Sequence, residues 1–180
     1  CSSGNPMVSP TGSAPASGDS IIVGSANFPE SELLANIYAG ALKAKGITVS
    51  TKLNIASRET YVPALKSGEI NLIPEYTGNF AKYFNKDADV KDEASALAAL
   101  KAALPDNLTA LEPAKAQNND SVVVTAETAQ KYSLKTIEDL TPVASQLVLG
   151  GPPEWPQRAN GVPGLTSVYG LTFKEFKALD

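Results

Sequence analysis

Two groups of side chains in this sequence could bind a small polar molecule, and each group follows a run of residues that favours a β-strand. The first group follows residues 20–24 and consists of Asn27, Phe28 and Ser31. The second group follows residues 70–73 and consists of Tyr76, Thr77 and Asn79. They offer rings, hydroxyls and amides, but no base, nucleophile pair or metal cluster. Since ligands of parallel α/β sheets bind outside the carboxyl ends of the strands, the set predicts a binding site rather than a catalytic one.

The amino-acid composition also favours a binding site over a catalytic one. The 180 residues include no His and one Cys, which removes the commonest general base, the commonest metal ligand and any internal disulfide. The net charge is −4 and no cluster of Lys and Arg occurs, so we expect no nucleic-acid partner. Apolar residues make up 43% and charged residues 19%, as in soluble globular proteins. We expect no cofactor and no catalysis.

The first half of the chain alternates between predicted strands and helices. Strands are predicted at residues 20–24, 47–55 and 70–73, with helices at 29–45, 57–67, 80–84 and 93–104. Pro29 begins the first helix, Gly46 ends it, and Pro105 stops the last one. This β-α-β-α-β-α-α order predicts an α/β fold with a parallel sheet between layers of helices.

The second half gives a weaker version of the same pattern. Strands are predicted at residues 108–111, 122–124, 147–149 and 173–179, and short helices at 127–132, 136–140 and 165–169. The three consecutive valines of residues 122–124 are the best candidate for the core of a second lobe. Residues 113–119 form a polar connector that leads to them.

Residues 1–19 form a segment of different character. They are dominated by Ser, Gly, Pro and Ala, which bury too little apolar surface to offset the entropy of ordering. We interpret them as a flexible tether. Cys1 with small residues behind it is typical of a processed bacterial lipoprotein, whose thiol carries a diacylglycerol. The prediction is an extracytoplasmic protein, lipid-anchored through Cys1.

Several motifs in order resemble one family. Residues 66–70 (KSGEI) and 73–79 (IPEYTGN) are similar to the "SGEIDLIPEYTG" segment of the glycine betaine, carnitine and choline substrate-binding proteins of ABC importers. Further similar segments are 25–31 (SANFPES), 128–140 (TAQKYSLKTIEDL), 149–155 (LGGPPEW) and 164–171 (GLTSVYGL). The resemblance runs from about residue 20 to residue 180, and the order of the segments makes it specific.

The resemblance implies a periplasmic-binding-protein-like fold of two α/β lobes joined by a hinge. It implies a tether at 1–19, a first lobe at 20–112 and the start of a second, incomplete lobe at 113–180, in a chain truncated at the C-terminus. Family members hold a trimethylammonium group in an aromatic cage and hand it to a membrane permease. We expect an osmoprotectant ligand of that quaternary-ammonium or zwitterionic type and an ABC permease as partner. We also expect that the 180-residue chain either self-associates or binds ligand poorly.

Individual roles follow from the matching positions. Tyr76 matches a cage tyrosine, and Asn79 falls where close relatives often have a polar side chain on the ligand. Ser31 occupies a site that is Gln in some relatives, and Arg158 matches an arginine that binds the ligand carboxylate in some members. Thr77, between Tyr76 and Asn79, is a further candidate. The segment at residues 118–122 (NNDSV) departs from the family, because relatives have another cage tyrosine there. Asn119 and Asp120 are therefore the candidates at that position, with Asp120 offering a negative charge.

Other interpretations of the same residues remain open. Tyr76 could pack a helix end, Asn79 and Thr77 could be turn residues, and Arg158 and Asp120 could be solvated surface charges. At the level of the whole protein, the alternatives are a ligand-sensing or structural lipoprotein with the same fold, and an enzyme that works with Asp or Lys instead of His.

Overall fold

The computed structural model describes residues 20–179, and these form two compact units that divide between Pro74 and Glu75. The predicted tether at 1–19 and Cys1 lie outside the described residues. The lobe boundary expected at residue 112 stays a prediction. Among the described residues, every helix is too short or too polar to cross a lipid bilayer.

The first unit is a small parallel sheet covered by helices. Its elements are β1 (Ile21–Gly24), α1 (Pro29–Ala44), β2 (Val49–Lys52) and α2 (Arg58–Ser67). Strand β1 pairs in parallel with β2, and a single parallel bridge joins Val23 to Leu72 on the other side of β1. The predicted strand at 70–73 is therefore reduced to one bridge, and the strand predicted at 47–55 is reduced to four residues.

Helix α1 shows how local sequence and packing agree. Pro29 occupies the first turn with Glu30 and Glu32, where the helix dipole favours acidic side chains. The helix ends where Gly46 takes a positive φ of 81°, which glycine adopts without steric cost. Its small residues Ala35 and Ala39 pack against Val23 of β1, and this contact forms part of the core of the first unit.

The second unit is mainly helical, with one parallel strand pair. Its helices are α3 (Thr77–Phe84), α4 (Glu93–Ala103), α5 (Ala126–Tyr132) and α6 (Val162–Tyr169), with 3-10 helices at Glu138–Leu140, Ala144–Gln146 and Trp155–Gln157. Strands β3 (Val148–Gly151) and β4 (Glu175–Ala178) pair in parallel. One buried cluster of this unit consists of Leu140, Ala144 and Leu171, with half-buried neighbours such as Val122 and Phe173.

Two predicted strands of the second unit are wrong. Residues 108–111 and 122–124 have no strand structure, and Val123 is 81% exposed. A β-branched sequence becomes a strand only when a neighbouring strand satisfies its backbone, and none pairs with either segment within residues 20–179. The valines still contribute to the core, because Val122 packs against the buried cluster.

The helix predicted at 136–140 is also shorter than expected. It is a 3-10 turn at Glu138–Leu140, and the carboxylate of Asp139 accepts hydrogen bonds from the backbone N–H groups of Lys135 and Thr136 at 2.8 and 2.9 Å. These two bonds lower the pKa of Asp139. Despite these differences, the parallel pairing and the alternation of strands and helices confirm the α/β class.

Candidate functional site

In the first unit, Ser31 is built into the loop between β1 and α1. It is 3% exposed, and its hydroxyl oxygen accepts a hydrogen bond of 2.9 Å from the backbone N–H of Ala26. The neighbouring Ser25 accepts from the backbone N–H of Asn54 at 2.8 Å and donates to the carbonyl of Ala26. The two serines therefore hold the loop at the carboxyl end of β1. A ligand contact by Ser31 stays a prediction.

In the second unit, Tyr76 and Thr77 begin helix α3. Tyr76 is the N-cap residue and is half-buried; its backbone carbonyl accepts from Phe80 at 2.8 Å, while its N–H donates to the carboxylate of Glu75 at 2.8 Å. Thr77 is the first helical residue. The extended backbone before the helix thus places Tyr76 at an end that presents backbone N–H groups, where a polar ligand can be bound.

Asn79 is the centre of a chain of polar side chains in the same unit. Its Nδ2 donates to Oδ2 of Asp120 across 3.4 Å, and its Oδ1 accepts from Nδ2 of Asn160 across 2.9 Å. Asp120 lies 41 residues and Asn160 81 residues away in sequence. The structure therefore brings the predicted site residues Asn79 and Asp120 into contact with each other. It also joins Asn79 to Asn160, which the sequence analysis did not single out.

Arg158 lies two residues before Asn160 in a tight loop. It follows the 3-10 helix Trp155–Gln157, its backbone N–H donates to the carbonyl of Trp155, and its own carbonyl accepts from Gly161 at 2.9 Å. The residue is half-buried and its Nε atom is buried. That burial argues against a purely solvated surface charge. The turn closed by the hydrogen bond from Gly161 to Arg158 contains both Arg158 and Asn160.

Asn119 and Asp120 lie on the connector that was predicted to lead into a strand, and both are exposed. Only Asp120 has a described contact with the other predicted site residues, through Asn79. A surface groove of about 290 Å³ occurs elsewhere in the second unit, lined by Phe84, Asp87 and Asp89 together with alanines of α4. None of the predicted site residues lines that groove. Within residues 20–179, no group of three or more acidic, Cys or His side chains is arranged to hold a metal ion.

Asn160, Asn79 and Asp120 form a hydrogen-bonded row of polar side chains, and Arg158 lies two residues before Asn160. Amides, one carboxylate and one guanidinium are groups that recognise charged or zwitterionic ligands.

The chain belongs to the family described as the substrate binding domain of ABC-type glycine betaine transport systems, whose family model matches residues 19–180. The fold is accordingly that of the periplasmic binding proteins. This result confirms the family resemblance that the sequence motifs indicated.

Individual relatives are similar over most of this chain. The glycine betaine-binding protein YehZ of Escherichia coli (strain K12) is 29% identical over 156 residues, which is 83% of this chain and 51% of YehZ. The carnitine transport binding protein OpuCC of Listeria monocytogenes serotype 1/2a (strain 10403S) is 26% identical over 165 residues, or 89% of this chain and 54% of OpuCC. The chain spans about half the length of these curated relatives.

Solved structures agree in fold. The crystal structure of a glycine betaine/carnitine/choline ABC transporter protein aligns with a TM-score of 0.60 at 23% identity, covering 89% of this chain and 61% of that one. Apo YehZ from Escherichia coli aligns with a TM-score of 0.55 at 27% identity, covering 90% and 61%.

Proposed function

We propose that this chain is part of an extracytoplasmic solute-binding protein that captures a quaternary-ammonium or zwitterionic osmoprotectant for an ABC importer. Family membership across residues 19–180 is the observation that carries the proposal. Relatives named for binding glycine betaine or carnitine support the ligand class. The ABC permease is the proposed membrane partner.

The proposed ligand chemistry assigns a role to each residue. A quaternary ammonium has no N–H group to donate, so it is bound by ring faces and by negative charge. Tyr76 supplies a ring and Asp120 a carboxylate, while Arg158 pairs with a ligand carboxylate where the ligand has one. Thr77, Asn79 and Asn119 add polar contacts to the same ligand.

The proposal also includes a lipid anchor at Cys1. The support is a cysteine followed directly by small residues, in a segment rich in Ser, Gly, Pro and Ala. Mass spectrometry of the protein extracted from membranes tests this directly. The expected result is an N-terminal peptide whose mass is increased by a diacylglycerol group on Cys1; an unmodified thiol would contradict it.

Calorimetric titration of the full-length protein with glycine betaine, carnitine and choline tests the binding function. We expect saturable binding of at least one of the three, with a stoichiometry of one ligand per chain. No binding of any of them would refute the proposal. The comparison of choline, which lacks a carboxylate, with glycine betaine, which has one, then separates the two charged residues.

Two substitutions with matched controls sharpen the test. Arg158→Ala is expected to weaken glycine betaine more than choline, because only glycine betaine has a carboxylate for the guanidinium to bind. Asp120→Asn is expected to weaken both ligands, because both carry the ammonium charge. Lys115→Ala and Asp106→Asn remove the same charges at exposed positions of the same unit and should leave both affinities unchanged.

A further inference from the structure

Three polar side chains from three different segments form a linear hydrogen-bonded chain, which we call the amide relay. Asn160 lies in the loop before α6, Asn79 is the third residue of α3, and Asp120 lies on the connector before α5. Asn160 donates to Asn79 across 2.9 Å, and Asn79 donates to Asp120 across 3.4 Å. Each bond joins segments that are far apart in sequence, so the relay is a product of the tertiary fold.

The chemical groups of the relay allow only one direction of hydrogen-bond donation along it. An ionised carboxylate only accepts hydrogen bonds, so Asn79 must face Asp120 with its NH₂ group. Its carbonyl oxygen is then directed at Asn160, which must donate. If the amide of Asn79 were rotated by half a turn, its oxygen would meet the carboxylate of Asp120 and its NH₂ group would meet the NH₂ group of Asn160. Both contacts would be repulsive.

The two bonds of the relay differ in length and in exposure to solvent. The bond from Asn160 is short and partly buried, whereas the bond to Asp120 is longer and exposed to solvent. A partly buried bond is less easily replaced by water than an exposed one, and breaking it leaves a polar atom without compensation. The bond from Asn160 is therefore the stronger of the two constraints on the amide of Asn79.

We propose that Asn160 is a positioning residue that sets the amide orientation of Asn79 and thereby holds the carboxylate of Asp120 at the proposed ligand site. The inference rests on the proposed function for the ligand and on the relay geometry for the positioning. It assigns a role to a residue that neither the motifs nor the family resemblance singled out.

The first variant is Asn160→Asp, which replaces the donor with an acceptor of nearly the same shape. Asn79 must then turn its NH₂ group towards position 160, so its oxygen faces Asp120. We expect the melting temperature without ligand to fall by roughly 2–5 °C, because the bond to Asp120 is replaced by a repulsive contact between the Asn79 oxygen and the carboxylate. We expect the affinity for choline to fall about tenfold, since the carboxylate is no longer held.

The decisive variant is the double exchange Asn160→Asp with Asp120→Asn. Here position 160 accepts from Asn79 and position 120 donates to it, so both bonds are restored with the opposite polarity. The net charge equals that of the wild type. We expect the melting temperature to return to within roughly 1 °C of the wild-type value. The affinity for choline is expected to stay about tenfold weak, because the carboxylate now lies at the wrong end of the relay.

These outcomes separate positioning from a merely structural bond. A single variant that melts like the wild type, or a double variant that does not recover, would overturn the relay. A double variant that recovers both stability and affinity would show that the bonds are only structural. Gln146→Glu, which adds a charge at an exposed position of the same unit, is the control and should change neither quantity.

Failure of the proposed function gives a different pattern. If the wild-type protein binds neither choline nor glycine betaine, the ligand role of Asn160 fails together with the proposed function. The melting temperatures of the single and double variants are measured without ligand, so they still decide whether the relay orients Asn79.

Discussion

Gly161 is a position where one added methyl group should strain the loop of residues 158–161, which contains Arg158 and Asn160. A Cβ atom there would clash with the carbonyl oxygen of Trp155 and lie 3.0 and 3.1 Å from its Cα and carbonyl carbon. These are backbone atoms, which cannot move aside as a flexible side chain would. The loop closed by this contact contains Arg158 and Asn160, so Gly161→Ala should displace both.

The size of the effect follows from the cost of overpacking. Forcing one extra methyl group into a packed position typically costs about 1–3 kcal/mol. For a protein of 180 residues, each kcal/mol changes the melting temperature by about 2–4 °C. We therefore expect Gly161→Ala to melt roughly 2–12 °C below the wild type, and to bind its ligand more weakly because the loop is displaced.

Gly40 provides a matched control with the opposite sign. It lies exposed within α1, and an added methyl group there would meet no neighbouring side chain within 4 Å. Glycine inside a helix costs roughly 0.5–1 kcal/mol relative to alanine, so Gly40→Ala should raise the melting temperature by roughly 1–4 °C. Differential scanning calorimetry of both variants gives the comparison. If Gly161→Ala melts at or above the wild-type temperature, the tight packing of the loop against Trp155 is refuted.

Further predictions concern the ligand, a helix cap and the core. Tyr76→Ala is expected to weaken a quaternary-ammonium ligand by about 0.5–2 kcal/mol in calorimetric titrations, and an unchanged affinity would make Tyr76 a packing residue. Asp92 caps α4 by accepting from the backbone N–H of Ser95 at 2.8 Å, which lowers the pKa of its carboxyl group from 3.8. The pKa of Asp92 is lower in the folded state than in the unfolded state, so the stability from this cap is present above pH 3.8 and is lost as the pH falls further. The melting temperatures of the wild type and Asp92→Ala should therefore differ at neutral pH and converge in acid. Leu171→Ala, at a position 1% exposed, should cost about 2–5 kcal/mol in urea unfolding, whereas Val168→Ala, at 73% exposure, should cost little; equal losses would contradict the assigned core.

Local signals were sufficient for most helices. Pro29 and Gly46 delimit α1, and the Ala- and Leu-rich run before Pro105 forms α4. Proline, glycine and small helix-forming residues act through their own backbone geometry, so their effect can be predicted without knowing the neighbours. The capping box of α4 was missed, although Asp92 followed three residues later by Ser95 is a local pattern.

Strands were predicted less well, for a physical reason. A strand is defined by hydrogen bonds to another segment, and a single sequence does not show which segment will pair. Residues 148–151 and 175–178 pair with each other and form β3 and β4. Residues 122–124 are all valine and therefore richer in β-branched side chains than β3 or β4, but they pair with no strand within residues 20–179. Val123 is exposed.

The site divides in the same way. The sequence alone determined the family, the ligand class to be tested and the candidates Tyr76, Asn79 and Arg158, because the motifs that contain them are continuous stretches of the chain. Only the tertiary structure decided that Asn79 joins Asp120 to Asn160, since those contacts cross 41 and 81 residues. Hydrogen bonds between distant segments depend on where the backbone places each side chain, and that placement results from the packing of the whole unit.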